Sequence, residues 1–215
     1  MTNVALFVSV YPELLDGVEE FIFMGGGAGI GNRSSVAEFN ILCDPEAAQI
    51  VLDTPVKKTM VPLNITHTAI FTKEHHATLL DPTFVHDVQG AVIELGKAST
   101  PLRHMLSTLV SFFAKTYEST FGFNFGPPIH DALTVAYVSR PDLFQSKRYR
   151  VDVELNGVHT SGETVVDIWN YRPTDDTWGN TGKNCLVAET LDVDGFFRLF
   201  MECVTRCDGV SPLNQ

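Results

Sequence analysis

The stretch FIFMGGGAGIGNRSSVAEFN, residues 21–40, sets a short apolar run directly against five glycines within seven positions. The run predicts a buried strand over Glu20 to Met24, and the glycines predict a tight loop behind it. The next segment, CDPEAAQIVLDTP at residues 43–55, predicts a helix. Asp44 suits its N-cap, Pro45 its first turn, Glu46 the positive end of its dipole, and Pro55 its end. Strand, loop and helix in that order begin an α/β pattern that the rest of the chain continues.

Outward from this core, Val4 to Leu15 has apolar residues at roughly helical spacing, closed by Asp16-Gly17. TMVPLNIT reads as a strand. TKEHHATLL and Pro101 to Tyr117 read as helices, the second long and amphipathic, and HDALTVAYVSRPDLF opens a further helix that ends at Pro141. YRVDVELNG and GETVVDIW each alternate, which predicts paired strands. NCLVAETL reads as a last strand and DVDGFFRLFMECV as a closing helix. Strands alternating with helices predict an α/β fold: an open mixed, mostly parallel, Rossmann-like sheet with helices on both faces. The whole of 1–215 reads as one domain. The chain opens on a helix rather than a central strand, so the expectation is of a sheet whose N-terminal strands are missing.

The glycine spacing excludes two phosphate-binding readings. A dinucleotide fingerprint needs glycines at n, n+2 and n+5. From Gly25, Gly27 and Gly29 the third position is Ile30, Asn32 and Ser34. A Walker loop needs Gly-Lys-Ser or Gly-Lys-Thr, and no lysine lies here. Behind the glycines stands instead a set of polar side chains, Asn32, Arg33, Ser34, Ser35, Glu38 and Asn40, suited to gripping hydroxyls.

Composition narrows the partners. The 215 residues carry 15 Lys and Arg against 26 Asp and Glu, a formal charge of −11. Such a charge disfavours nucleic acid and anionic membrane and suits a neutral ligand or a divalent cation. No apolar run approaches a membrane span, and the start lacks the basic and small-residue features of a secretory signal. Cys43, Cys185, Cys203 and Cys207 contain no Cys-x-x-Cys pair, a pattern that fits the reducing cytoplasm.

A second segment, FGPPIHDAL at residues 125–133, places Pro127-Pro128 just before His130-Asp131. The prolines stiffen the approach, so imidazole and carboxylate are presented at a fixed angle at a helix start. By itself the pair reads as a loop histidine beside a capping aspartate.

Taken together, MGGG…GN…AEFN…DPEAA and the downstream PPIHD resemble the inosine–uridine nucleoside hydrolases along essentially the whole chain. TNVAL near the start and the late GETVVD fit the same family. The resemblance implies an enzyme that cleaves the N-glycosidic bond of ribonucleosides with water, giving ribose and a free base. It implies calcium at the floor of the pocket, bound to the ribose 2′- and 3′-hydroxyls and the attacking water. Position by position, Asp131 matches a calcium ligand that also touches ribose, and His130 a residue near the leaving base, a candidate proton donor for purines. Asn32 and Glu38 match the pair that holds the 5′-hydroxyl, Asn40 a ribose-hydroxyl ligand and Met24 a residue lining the ribose. Relatives of this kind form dimers or tetramers. Positive charge develops on the sugar in such a reaction, so carboxylates and amide oxygens around it favour the transition state.

One departure matters. The family's opening cluster of the form Asp-x-Asp-x-Gly-x-Asp-Asp is absent, and Asp175-Asp176 and Asp192-x-Asp194 lie in the wrong context. Of the metal ligands only Asp131 remains, and one carboxylate does not hold calcium usefully against water. The expectation is therefore a chain with little activity of its own and an open sheet edge. A catalytically dead ribose-binding or interaction protein on the same scaffold is the alternative. A nucleotide-dependent oxidoreductase rests on the glycine loop alone. His67, at a strand end, is a further candidate for substrate contact. His75, His76 and His86 read as surface residues, Trp169 and Trp178 as flanking a surface loop. Tyr117, Phe121 and Phe123 read as base-stacking or packing aromatics.

Overall fold

The computed structural model describes residues 1–85 and 93–215. In chain order the elements are α1 (Thr2–Val10), β1 (Glu20–Met24), α2 (Phe39–Leu42), α3 (Pro45–Leu52), β2 (Lys57–Val61), α4 (Leu63–Thr66) and α5 (Lys73–Leu80). Beyond them lie α6 (Pro101–Phe121), α7 (Ala132–Ser139), β3 (Phe144–Tyr149), β4 (Val151–Val153), β5 (Thr164–Val166), β6 (Cys185–Leu191) and α8 (Val193–Asp208). The chain forms two compact units, one of residues 1–67 and 130–191, the other of residues 68–129 and 192–215.

The first unit holds a four-stranded sheet in the order β1-β2-β6-β3. β1 and β2 pair in parallel with Met24 opposite Val61, β2 and β6 are also parallel, and β3 runs antiparallel on the far edge. This is the mostly parallel open sheet that the alternating pattern predicts. β1 is the other edge, with all five residues half-buried. β4 and β5 form the separate antiparallel pair expected from the two alternating segments. The core gathers Ile41, Ala48, Leu52 and Met60 with Tyr149, Val151, Cys185 and Val187. α3 begins as its sequence dictates: Asp44 accepts a hydrogen bond from the Ala47 N–H at 3.0 Å, with Pro45 in the first turn.

At the amino end of β2, Lys58 is fully buried and donates to the carbonyls of Leu52, Thr54 and Trp178 at 3.0, 2.5 and 2.6 Å. Burial lowers its pKa from 10.5 to about 8. This lysine closes the carboxyl end of α3, where the last helical carbonyls lack intrahelical partners.

Three local readings differ from the pattern. The helix expected over Val4 to Leu15 ends at Val10, and Pro12 opens a separate 3-10 turn to Gly17. TMVPLNIT is a strand only to Val61, because Pro62 has no N–H for the ladder and instead stands at the N-cap of α4. β3, with sequence FQSKRY, has no apolar run to reveal it. It is an edge strand whose Lys147 lies over the Tyr149 ring.

The second unit is helical. Gly122, at φ 73°, ends α6 in a left-handed cap. The apolar stripe of α6 does not face a core: Met105, Leu109, Phe112 and Phe113 are exposed, and Arg103 is the residue of α6 that is buried. Arg103 donates to Asp208 and to the carbonyl of Leu79, holding α6 to α8 and α5. His75 and His76 are not surface residues. His76 is buried with its ring 2.6 Å from the Ser107 hydroxyl, and His75 stacks on Phe197 at 3.8 Å. Both sit on α5, whose inward face they help to form. His86 lies outside the described residues. Trp169 is 79% exposed, as the surface reading has it, while Trp178 is half-buried under the Arg148 guanidinium at 3.7 Å.

Candidate active site

The carboxyl ends of β1 and β2 point the same way because the strands are parallel, and loops leaving such ends form the usual ligand crevice of an α/β sheet. From β1 comes the glycine loop. From β2 come Pro62 and α4.

The loop is fastened from every side. Gly26 N–H donates to Glu38 Oε2 at 3.0 Å, Gly27 N–H to Thr164 Oγ1 at 2.9 Å and Ala28 N–H to Asn64 Oδ1 at 2.8 Å. The Thr164 hydroxyl donates back to the Gly27 carbonyl at 2.8 Å, and the Gly26 carbonyl accepts from Leu63 N–H at 2.9 Å. With these amides engaged by the chain itself, the loop is not a phosphate cradle, which works through free backbone N–H groups. Its glycines serve close packing. Gly26 has φ 73°, and a Cβ there would meet Thr164 side-chain atoms at 2.8 Å. A Cβ on Gly31 would lie 2.4 Å from the Ala37 nitrogen.

Glu38 organises the turn into α2. It is 2% exposed. Besides Gly26, its carboxylate accepts from Asn40 N–H at 2.9 Å on both oxygens and from Ile41 N–H at 3.3 Å. Burial raises its pKa, the three backbone N–H groups oppose that shift, and the nearby negative charge of Asp131 adds to it. Oε1 carries the Asn40 contact alone and so retains acceptor capacity. Asn32 Oδ1 accepts from Phe39 N–H at 2.9 Å, which places its amide at the same helix start. Asn40 donates from Nδ2 to the Met24 carbonyl and to Met24 Sδ, both at 3.3 Å. Met24, Asn32, Glu38 and Asn40 thus form one connected patch at the end of β1.

The His130-Asp131 pair reaches this patch from the other direction. His130 Nδ1 lies 2.7 Å from the Thr66 hydroxyl at the end of α4, and the His130 and His67 rings meet edge-on at 5.7 Å. α4 in turn begins at Leu63, which is bonded to Gly26. Asp131 takes the N-cap position of α7 but makes no side-chain capping bond. Its carboxylate is exposed and has no hydrogen-bond or ion-pair partner among the described residues. The capping reading of Asp131 is therefore not what the structure has. Burial, together with the His67 ring, lowers the His130 pKa to about 4. At neutral pH the ring is uncharged.

The six residues singled out in the sequence are brought together in one unit. Thr66, Asn64 and Thr164 join them. The first two lie in PLNIT and the third in GETVVD, and neither periodicity nor spacing marks any of the three. The contacts that bind them to the site span 137 residues for Gly27 and Thr164 and 64 for Thr66 and His130.

The same residues offer little to a metal. Among the described residues no group of three or more His, Cys, Asp and Glu side chains could hold an ion. Asp131 offers one carboxylate, and Glu38 is engaged by backbone N–H groups. These residues do not make a calcium site on their own.

The model of the inosine-uridine preferring nucleoside hydrolase family matches residues 1–198. An inosine-uridine preferring nucleoside hydrolase of Leishmania major is 39% identical over 211 residues, 96% of this chain and 58% of that protein. Its namesake in Crithidia fasciculata is 35% identical over 96% of this chain and 58% of its own length. A solved purine-preferring ribonucleoside hydrolase from Gardnerella vaginalis superposes with a TM-score of 0.79 at 26% identity, over 98% of this chain and 59% of that one. The chain thus spans a little over half the length of the curated relatives it matches. With a family model covering most of its residues and relatives above 30% identity, the chain belongs to the inosine-uridine preferring nucleoside hydrolase family.

Proposed function

We propose that this chain carries the ribose-reading and base-facing portion of a ribonucleoside hydrolase site, acting on the N-glycosidic bond between ribose and a nucleobase. The observation that carries the reading is the convergence of the glycine-loop patch and His130-Asp131 at the carboxyl ends of β1 and β2. Met24 lines the sugar. Asn32, Glu38 and Asn40 read its hydroxyls, with Glu38 Oε1 and the amide groups as the available partners. Asp131 presents its unclaimed carboxylate to the ribose, and His130 faces the leaving base. Breaking the bond leaves positive charge on the ribosyl group, which the Asp131 carboxylate and the amide oxygens favour more in the transition state than in the ground state.

Calcium is the metal that the family resemblance suggests, and Asp131 would give it one oxygen. A hard cation of this kind takes six to eight oxygens, so one carboxylate is a small share of a site. We infer that the 215-residue chain alone turns nucleosides over slowly. We infer also that one domain extends over 1–215, that the protein works in the cytoplasm, and that it assembles as a dimer or tetramer. No described helix is long and apolar enough to cross a membrane.

Hydrolysis assays with inosine and uridine, paired with calorimetry of ribose with and without calcium, test this reading. Ribose binding that is lost in Asp131→Asn, with slow turnover, supports it. Binding that ignores both calcium and Asp131, with no turnover, favours a binding protein on the same scaffold. Turnover equal to that of an intact relative would refute the slow-chain inference.

A further inference from the structure

His130 has two ring nitrogens, and its chemistry depends on which one carries the proton. Thr66 decides this. It is the last residue of α4 and fully buried. Its Oγ1 lies 2.7 Å from His130 Nδ1 and 3.5 Å from the Leu63 carbonyl. Hydrogen bonds from hydroxyls run roughly 2.5–3.0 Å to oxygen, so the contact to Leu63 is too long to take the hydroxyl hydrogen well. The Leu63 carbonyl already accepts the His67 N–H at 2.9 Å. A buried hydroxyl that donates to nothing bears its whole desolvation penalty. The acceptor at a good distance is Nδ1. An imidazole nitrogen that accepts a hydrogen bond is unprotonated, so the ring proton of the neutral form sits on Nε2.

We propose that Thr66 is a positioning residue that locks His130 in the Nε2–H tautomer, so that the ring presents an N–H donor at its outer edge. The target of that donor, an acceptor atom of the leaving nucleobase, rests on the function proposed above. The tautomer does not. A hydrogen bond from Nε2–H strengthens as electrons move onto the base, and the ring needs no change of protonation to give it. His67, set edge-on against the same ring, limits its tilt. Thr66 itself is placed by α4, a helix of four residues pinned at its start by the Leu63 N–H bond to Gly26. The glycine loop thereby bears on the histidine through α4.

The test is spectroscopic and needs no turnover. The 215-residue chain is labelled with 15N-histidine, and its ring nitrogens are read by long-range correlation above neutral pH, with His130→Gln identifying the signal. The expected result is a fully bare Nδ1 and a fully protonated Nε2, distinct from the tautomer average of free histidine. Thr66→Val, which keeps the shape and removes the hydroxyl, should return the signals to that average, and Thr66→Ser should preserve the locked pattern. A protonated Nδ1 in the unmodified chain would overturn the proposal, as would an unchanged pattern in Thr66→Val. Should Thr66→Val not fold, the unmodified and Thr66→Ser chains still decide it: averaged signals in either count against it. A locked tautomer in a chain that ignores ribose would remove the proposed function and leave the role of Thr66 standing.

Discussion

The glycine loop at residues 25–31 and the His130-Asp131 start of α7 occupy the same end of the same sheet, yet they are opposites. In the loop, the amides from Gly26 to Ala28 are bonded to Glu38, Thr164 and Asn64. At Asp131 the carboxylate is exposed and caps nothing. The more conspicuous motif is framework, and the plainer one holds the available charge. A glycine cluster permits close approach of chain to chain, and its polar groups are satisfied in doing so. A side chain left unsatisfied at a crevice is the better pointer to chemistry.

That contrast can be broken by mutation, since framework changes should cost stability and site changes should not. The largest effect is expected from Gly31→Ala, where the new Cβ would collide with backbone at 2.4 Å. Urea denaturation should show a loss of about 3 kcal/mol or more, because overpacking against backbone does not relax cheaply. Next is Glu38→Gln, at a carboxylate that belongs to framework and proposed site alike; it sets an amide N–H₂ among the N–H groups of Gly26, Asn40 and Ile41. A loss of about 2–3 kcal/mol is expected by the same measurement, the cost of buried donors left without an acceptor.

Lys58 sharpens the comparison from the opposite end of β2, where a buried cation serves the framework alone. Its folded pKa of about 8 lies below the unfolded 10.5, so between those values the unfolded chain binds more protons. Stability should then rise with pH through that window. Cys185, whose thiol is pushed up to about 12 by burial, acts in the contrary sense from about 9 upward. The difference between the unmodified chain and Lys58→Met isolates the lysine. It should grow with pH from 8 to 10.5 by about 2–3 kcal/mol in denaturation curves. A flat difference would mean that Lys58 keeps its charge at no cost. The smallest effect belongs to Asp131→Asn, which should change stability by less than about 0.5 kcal/mol, as for an unpartnered surface group. A loss above about 2 kcal/mol would make Asp131 framework after all and erase the contrast.

Much of this was open to a reader of the sequence, for reasons that differ by element. β1 and α3 were legible because local chemistry and tertiary role agree: an apolar run with glycines behind it, and Asp44-Pro45-Glu46 at a helix start. β3 was hidden because an edge strand with one solvated side can be written in polar residues such as Gln145, Ser146 and Lys147. α6 misleads in the other direction, since its apolar stripe at Met105, Leu109, Phe112 and Phe113 is exposed. His76 reads as a surface residue because its partner, Ser107, lies 31 residues away. The candidate site divides in the same manner. Glu38, Asn40, His130 and Asp131 belong to compact motifs that a family resemblance exposes. Thr66, Asn64 and Thr164 act through contacts over 36 to 137 residues, which no spacing rule encodes.

The central claim is that two distant stretches of chain meet to read one pentose. Amide chemical-shift changes on titrating ribose into the 15N-labelled chain, with calcium present, test it most directly. The predicted result is a cluster of shifts at Met24, Asn32, Asn40, His130 and Asp131, abolished together by Asp131→Asn. Shifts confined to one of the two stretches, or appearing instead around Trp169 and Tyr171, would contradict it.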